Sequence, residues 1–239
     1  MIKGCAFDVG NTLINDTKLV RDTLEDMAKW LERKGIIKQK RSFITTYNKV
    51  NKFTFRPFIS HTFGEEEFFQ KTFEELGIKS ISPKQVLEKY RRFLMTKTSP
   101  DDDVLETFKF LRGKGIKIAL LTNERVNRVE AFIRKTALAN LLDAVLISEQ
   151  LRMEKPDPAI FAEASKRLEV KCAQMLMFGD NKITDGAARG LGMKFVLVTS
   201  YRNTEWQWEN GLPIHPDYII RKVNKEEIER CLEVLGTDS

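Results

Sequence analysis

Cysteine is scarce: Cys5, Cys172 and Cys231 are the only three, widely spaced and odd in number. They offer neither a disulfide framework nor a paired metal-binding motif, so a reducing, cytoplasmic setting is the expectation. Long apolar runs are missing as well. No stretch approaches the roughly 18 residues that span a bilayer, and the N-terminus lacks the pattern of a secretory leader, so no membrane partner is expected. Charge of one sign is not segregated. The net charge is +6, yet 40 lysines and arginines are scattered among 34 aspartates and glutamates. A dispersed excess marks a solvated surface rather than a nucleic-acid footprint, although a mild positive field favours a small anionic substrate. There is no internal repeat and no low-complexity tract.

What is there is an ordinary globular composition, and 239 residues suffice for one large domain or a core plus an insertion. The run from Ile2 to Phe7 reads as a short buried strand that ends abruptly in Asp8, followed by the tight turn Val9-Gly10-Asn11-Thr12. From Leu19 the pattern turns helical. Leu19, Leu24, Met27, Trp30 and Leu31 recur at three- and four-residue spacing up to Gly35. Further amphipathic segments cover Phe43 to Phe58, Phe63 to Leu76 (closed by Gly77) and the stretch opened by Pro83. Consecutive helices without a strand are too long for a loop, so residues 17–97 are expected to form an inserted all-helical subdomain. Residues 1–16 and 98–239 then form the core.

Beyond Pro100 strands and helices alternate. Ile116 to Asn123, Ala144 to Ile147, Gln174 to Phe178, Phe195 to Thr199 and Asp217 to Ile220 read as strands. Pro158 opens a helix capped by Asp157, a small-residue helix contains Ala187 and Ala188, and Glu226 to Leu235 closes the chain. Near-continuously apolar strands alternating with helices predict an α/β fold, a doubly wound parallel sheet covered on both faces.

Asp8, Thr122, Lys155 and the pair Asp180 and Asp185 all fall at or just beyond predicted strand ends. The carboxyl ends of parallel strands face one way, and ligands bind where strand order reverses, so residues distant in sequence meet in one crevice. Each has an ordinary alternative use: a threonine after a strand caps a turn, a lysine before proline is solvated, and Gly-Asp makes a turn. Their co-occurrence in this order argues for a site.

These residues carry a resemblance. Phe7-Asp8-Val9-Gly10-Asn11-Thr12-Leu13 resembles the first signature of the haloacid dehalogenase (HAD) superfamily, written D-x-D-G-T. Thr122 with Asn123 is similar to the second, Lys155 in Glu-Lys-Pro-Asp-Pro to the third, and Gly179-Asp180-Asn181-Lys182-Ile183-Thr184-Asp185 to the fourth, G-D-x-x-x-x-D. The resemblance implies a phosphatase with a helical cap, acting on a small phosphorylated substrate through an aspartyl-phosphate on Asp8. It implies Mg²⁺ held by Asp8, Asp180 and the backbone carbonyl of Gly10. Asp185 would orient metal-bound water or Lys155, and Thr122, Asn123 and Lys155 would hold the phosphoryl oxygens.

The chain departs from that pattern at Gly10, where the family's phosphatases usually carry the acid–base aspartate. Loss of such a group typically costs about 10² to 10⁴ in rate. Asn11, in place of the usual glycine, tolerates left-handed backbone and is the milder change. Three readings therefore compete: a Mg²⁺-dependent phosphatase, a metal-independent 2-haloacid dehalogenase using the same Asp8, and a weakly active HAD-like binding protein. Phosphonate-cleaving relatives also lack the second aspartate but need a cap lysine that spacing does not identify. Asp180 favours the phosphatase, because haloacid dehalogenases typically have Ser and Asn in that motif. His61, in the helical insertion, is a candidate proton donor set against an ordinary surface role. Phe53, Phe55 and Phe58 are read first as that insertion's core, with the alternative that they and Arg56 line the cap's mouth, and Trp206 and Trp208 are read first as packing rather than recognition. Asp101, Asp102 and Asp103 suit a helix N-terminus, and Met175-Leu176-Met177 suits a packed core.

Overall fold

The computed structural model describes residues 1–54, 65–98, 103–202 and 214–236. Phe55, Arg56, Phe58, His61, Asp101, Asp102, Trp206 and Trp208 lie outside the described residues, as does the side chain of Phe53. Two compact units form: Met1–Asp16 with Ser99–Ser239, and Thr17–Thr98.

The first unit is built on six parallel strands: β1 (Gly4–Phe7), β2 (Lys117–Thr122), β3 (Ala144–Ile147), β4 (Met175–Gly179), β5 (Lys194–Val198) and β6 (Tyr218–Ile220). Their order across the sheet is β3-β2-β1-β4-β5-β6, the doubly wound α/β arrangement expected from the sequence. The chain runs outward from β1 to β3, then returns to the other side of β1. The strand order therefore reverses between β1 and β4, and their carboxyl ends are where such a sheet binds ligands. Phe7 pairs with Leu120 of β2 and with Phe178 of β4, so Asp8 leaves the sheet one residue beyond that shared register.

Alternation along β1 decides what covers each face. Ala6 joins Met177, Leu121 and Phe195 under Ile160 and Phe161 of the helix Pro158–Leu168. Phe7 points to the other face, where its ring stacks on Phe178 at 4.6 Å and tilts against Phe108 of the helix Asp103–Gly113 at 4.9 Å. Burying a ring of that size contributes roughly 1.5–3 kcal/mol. Asp157 caps its helix as expected, accepting from the Ala159 amide at 2.8 Å. Asp103 serves structure, pairing with Lys222 at 2.8 Å. The expected small-residue helix is a 3₁₀ segment, Gly186–Leu191, and a short helix at Ser148–Leu151 carries no sequence signal long enough to read.

The second unit is helical throughout its described residues. Thr17 to Arg33 continue the helix Asp16–Arg33, and Lys40–Thr54, Glu65–Leu76 and Pro83–Lys97 follow. Leu19, Leu24, Met27, Ala28 and Leu31 form one buried stripe. Aromatic contacts join the other three helices: Tyr47 to Phe69 at 5.2 Å and Phe69 to Tyr90 at 5.4 Å. Ser82 and Gln85 complete a capping box that starts the last of them.

Candidate active site

Each expected residue sits where strand geometry delivers it. Asp8 follows β1 directly, its amide donating to the Phe178 carbonyl at 2.9 Å, so backbone pairing carries on one residue past the strand. The turn after it is closed by the Val9 carbonyl, which accepts from the amides of Leu13 at 3.0 Å and Ile14 at 3.2 Å. Asn11 takes the left-handed conformation this turn needs (φ 53°), whereas Gly10 does not.

Lys155 comes from the loop before the helix Pro158–Leu168, and its ammonium is only 2% exposed. It donates to Asp8 Oδ1 at 2.8 Å and to Asp185 Oδ1 at 2.5 Å. Burial alone would lower the Lys155 pKa, but Asp185 first and Asp8 second outweigh it and raise the value. Asn123 was expected at the phosphoryl oxygens. Its side chain clamps the Lys155 backbone, with Nδ2 donating to the carbonyl at 2.7 Å and Oδ1 accepting from the amide at 2.8 Å. The clamp has a plain physical cause: Lys155 lies on a loop without ladder partners, and its two backbone groups need satisfying.

Asp185 is 1% exposed, with Oδ2 accepting from the Asn181 amide at 3.0 Å. Burial pushes its pKa up to about 6 against the pull of Lys155. It reaches this place only because residue 179 is glycine. A Cβ there would stand 2.1 Å from Asp185 Oδ2. Asp180 is pushed well above the usual carboxylate range by burial, then by Asp185 and Asp8.

Oxygens of Asp8, Asp180 and Asp185 all lie within 4.8 Å of one another. Hard carboxylate donors at that spacing, with charge that Lys155 alone does not cancel, fit a divalent cation. Thr122 adds a second mark of a ligand: its hydroxyl is buried, 1% exposed, and has no hydrogen-bond partner among the described residues. A buried orphan hydroxyl is costly unless something polar binds to it.

Three residues beside this cluster escaped sequence reading. Arg128 donates to Glu124 Oε1 at 2.6 Å and to Asp16 Oδ1, gathering two carboxylates next to Gly10. Burial lowers the Arg128 pKa to about 10, opposed by Asp8. The Glu124–Arg128 spacing of four is a helical-pair signal, but Asp16 is 112 residues from Arg128 and nothing local links them. Glu149 is a fourth. It accepts from the Val126 amide at 2.8 Å and so caps the helix Val126–Thr136, whose own N-cap Arg125 makes no side-chain cap bond.

The model of the haloacid dehalogenase-like hydrolases matches residues 2–192. A glyceraldehyde 3-phosphate phosphatase of Methanopyrus kandleri is 27% identical over 238 residues, spanning 98% of this chain and 96% of its own. The (S)-2-haloacid dehalogenase 4A of Burkholderia cepacia is 22% identical over 202 residues, spanning 84% and 85%. Among solved structures, the HAD hydrolase YfnB of Bacillus subtilis, described as bound to magnesium, superposes with a TM-score of 0.74 at 19% identity, covering 98% and 99% of the two chains. Four motifs in order, the strand ends at which Asp8, Lys155, Asp180 and Asp185 meet and a family match over most of the length agree: the chain belongs to the haloacid dehalogenase-like hydrolases.

Proposed function

We propose that this hydrolase is a Mg²⁺-dependent phosphatase that cleaves a small phosphorylated metabolite through an aspartyl-phosphate on Asp8. One observation carries the reading: Asp8, Asp180 and Asp185 converge, while among the described residues Lys155 alone ion-pairs its ammonium with them, through Asp8 and Asp185. Three carboxylates against one ammonium leave a deficit that a divalent ion and its ligand field suit. Asp8 and Asp180 would hold it through carboxylate oxygens and Gly10 through its carbonyl, the hard donors magnesium selects. Bound there, the ion would offset the repulsion between a phosphate dianion and the attacking carboxylate.

The chain's own groups then divide the work. Asp8 forms the bond to phosphorus as the ester oxygen leaves, and water releases phosphate in a second step. Lys155, pinned by Asp185 and by the Asn123 clamp, fixes the Asp8 carboxylate and presents positive charge to the phosphoryl oxygens. The orphan Thr122 hydroxyl donates to one of those oxygens. The helical unit 17–98 acts as the cap that selects the substrate. The phosphatase from Methanopyrus kandleri, alike over nearly its whole length, supports a small phosphorylated substrate.

A haloacid dehalogenase is the second reading, favoured by the Burkholderia cepacia relative. That chemistry uses the same nucleophile without a cation, which gives no reason for a carboxylate at Asp180, where burial, Asp185 and Asp8 disfavour its charge. The deciding experiment pairs p-nitrophenyl phosphate with 2-chloropropionate, each with Mg²⁺ and with EDTA. Expected is phosphate-ester hydrolysis that EDTA abolishes and that Asp8→Asn lowers by at least about a thousandfold. Chloride release insensitive to EDTA would establish the dehalogenase instead, and binding of phosphate without turnover would leave only a binding protein.

A further inference from the structure

An alkoxide leaving phosphorus needs a proton as its bond breaks, whereas the oxygen of a carboxylic or phosphoric acid departs as a stable anion without one. Among the described residues the hydrogen-bond donors around Asp8 are already engaged. Lys155 donates to Asp8 and Asp185, and the Thr12 hydroxyl donates to Asp8 Oδ2 at 3.3 Å. Thr122 brings an unpartnered hydroxyl, which is no stronger an acid than the alcohol it would have to protonate. Glu124 and Asp16, the carboxylates beside Gly10, both accept from the Arg128 guanidinium and serve the turn as its anions.

Nothing in the fold forces a glycine at position 10. Its backbone is not left-handed, and a Cβ there would meet nothing closer than 3.8 Å, an ordinary van der Waals contact. Gly179 is the contrast, since a Cβ on it would stand 2.1 Å from Asp185 Oδ2. Neither crowding nor strain therefore explains why the second residue after the nucleophile has no side chain. Its surroundings are already anionic, with Glu124 Oε1 at 3.8 Å and Asp16 Oδ2 at 3.9 Å from that Cβ position. An acid at position 10 would put a third carboxylate beside one guanidinium, so the loop is organised around a position without one.

We infer that the substrate is an anhydride, a phosphoryl group carried on the oxygen of a carboxylic or phosphoric acid, and that alkyl phosphates are poor substrates. This names the substrate class of the phosphatase reading above and rests on it. The steps balance without a donated proton. An Asp8 oxygen forms a bond to phosphorus while the bond from phosphorus to the acid oxygen breaks, and that oxygen leaves with the electron pair as carboxylate or phosphate. Water then forms a bond to phosphorus as the bond to Asp8 breaks. The electron pair returns to the Asp8 carboxylate, and both protons of the water stay on the released dihydrogen phosphate.

The test measures kcat/KM of the full chain with Mg²⁺ for acetyl phosphate and pyrophosphate against ethyl phosphate, which is close to acetyl phosphate in size. The rate with Asp8→Asn is subtracted as background. At least one anhydride should exceed ethyl phosphate by about 100-fold or more, the span that a proton donor typically supplies. Whichever of acetyl phosphate and pyrophosphate is preferred identifies the acid that carries the phosphoryl group. Phenyl phosphates with 4-nitro, 4-chloro and no substituent keep nearly one shape while the phenol becomes less acidic. Across them kcat/KM should fall tenfold or more, which a preference for shape does not produce. Ethyl phosphate cleaved as fast as both anhydrides, or a flat phenyl series, overturns the inference and leaves the phosphatase standing. No phosphate released from any of these compounds overturns the phosphatase reading as well.

Discussion

Gly179 and Asp185 are six residues apart and yet occupy almost the same space, since a methyl group on the first would overlap the carboxylate of the second. Asp185 has nowhere to go, being held by Lys155 and the Asn181 amide. Gly179→Ala is therefore expected to displace Asp185, to destabilise the chain by about 1–3 kcal/mol in urea melts and to lower activity with it. Gly190→Ala is the control, because nothing lies within 4 Å of a Cβ there, and its change should stay within about 0.5 kcal/mol. At this scale the motif residues are readable from the chain: Asp8, Lys155, Asp180 and Asp185 meet as their strand-end positions imply. Asp16 and Arg128 are not readable. Their pairing depends on how a turn after β1 approaches the helix after β2, which no periodicity encodes.

Among the elements, β1 carries the most consequence per residue. Phe7 anchors it between Phe178 and Phe108 and is fully buried, so its ring sets where Asp8 emerges. Phe7→Ala should cost about 3–5 kcal/mol in denaturant unfolding, far more than a surface substitution. The same strand brings Cys5 within electrostatic reach of Cys231 on the closing helix Lys225–Gly236. Burial raises the pKa of both thiols, that of Cys5 with help from Cys231 and that of Cys231 to about 12. The unfolded chain ionises its thiols near 9.0 while the folded chain keeps them protonated, so their stabilisation is whole below that pH and is lost as pH rises toward 12. Each contributes at most about 1.4 kcal/mol per pH unit. Cys231→Ala should show a shallower fall in stability between these limits, and native thiol labelling at neutral pH should find Cys172, which is half-buried, ahead of the other two.

For the molecule as a whole, the strand-end acids make stability a reporter of cation binding that does not need turnover. An ion held at one hundred times its Kd stabilises the folded state by about 2.7 kcal/mol. In a chain of this size that is a rise of several degrees in the melting of the core unit, at roughly 2–4 °C per kcal/mol. Mg²⁺ should produce this shift, EDTA should reverse it, and Asp180→Asn should erase it while keeping the fold. A melting curve indifferent to Mg²⁺ would remove the cation from the scheme whatever the activity assays give. The all-helical character of residues 17–98 follows from their own spacing, since every described element there is an amphipathic helix with its apolar stripe inward.

By itself the sequence determined the parallel sheet, because apolar strands separated by helical repeats have one economical arrangement, and it determined the strand-end acids, because motif residues flank those strands. Which of them touch was decided by the tertiary structure alone. The Asn123 side chain clamps Lys155 because a loop's backbone groups had to be satisfied. Asp16, Glu124 and Arg128 came together around Gly10 because a buried guanidinium gathers whatever carboxylates the fold brings within reach. Contacts of that kind arise from the meeting of loops in space, and a linear pattern carries no record of them.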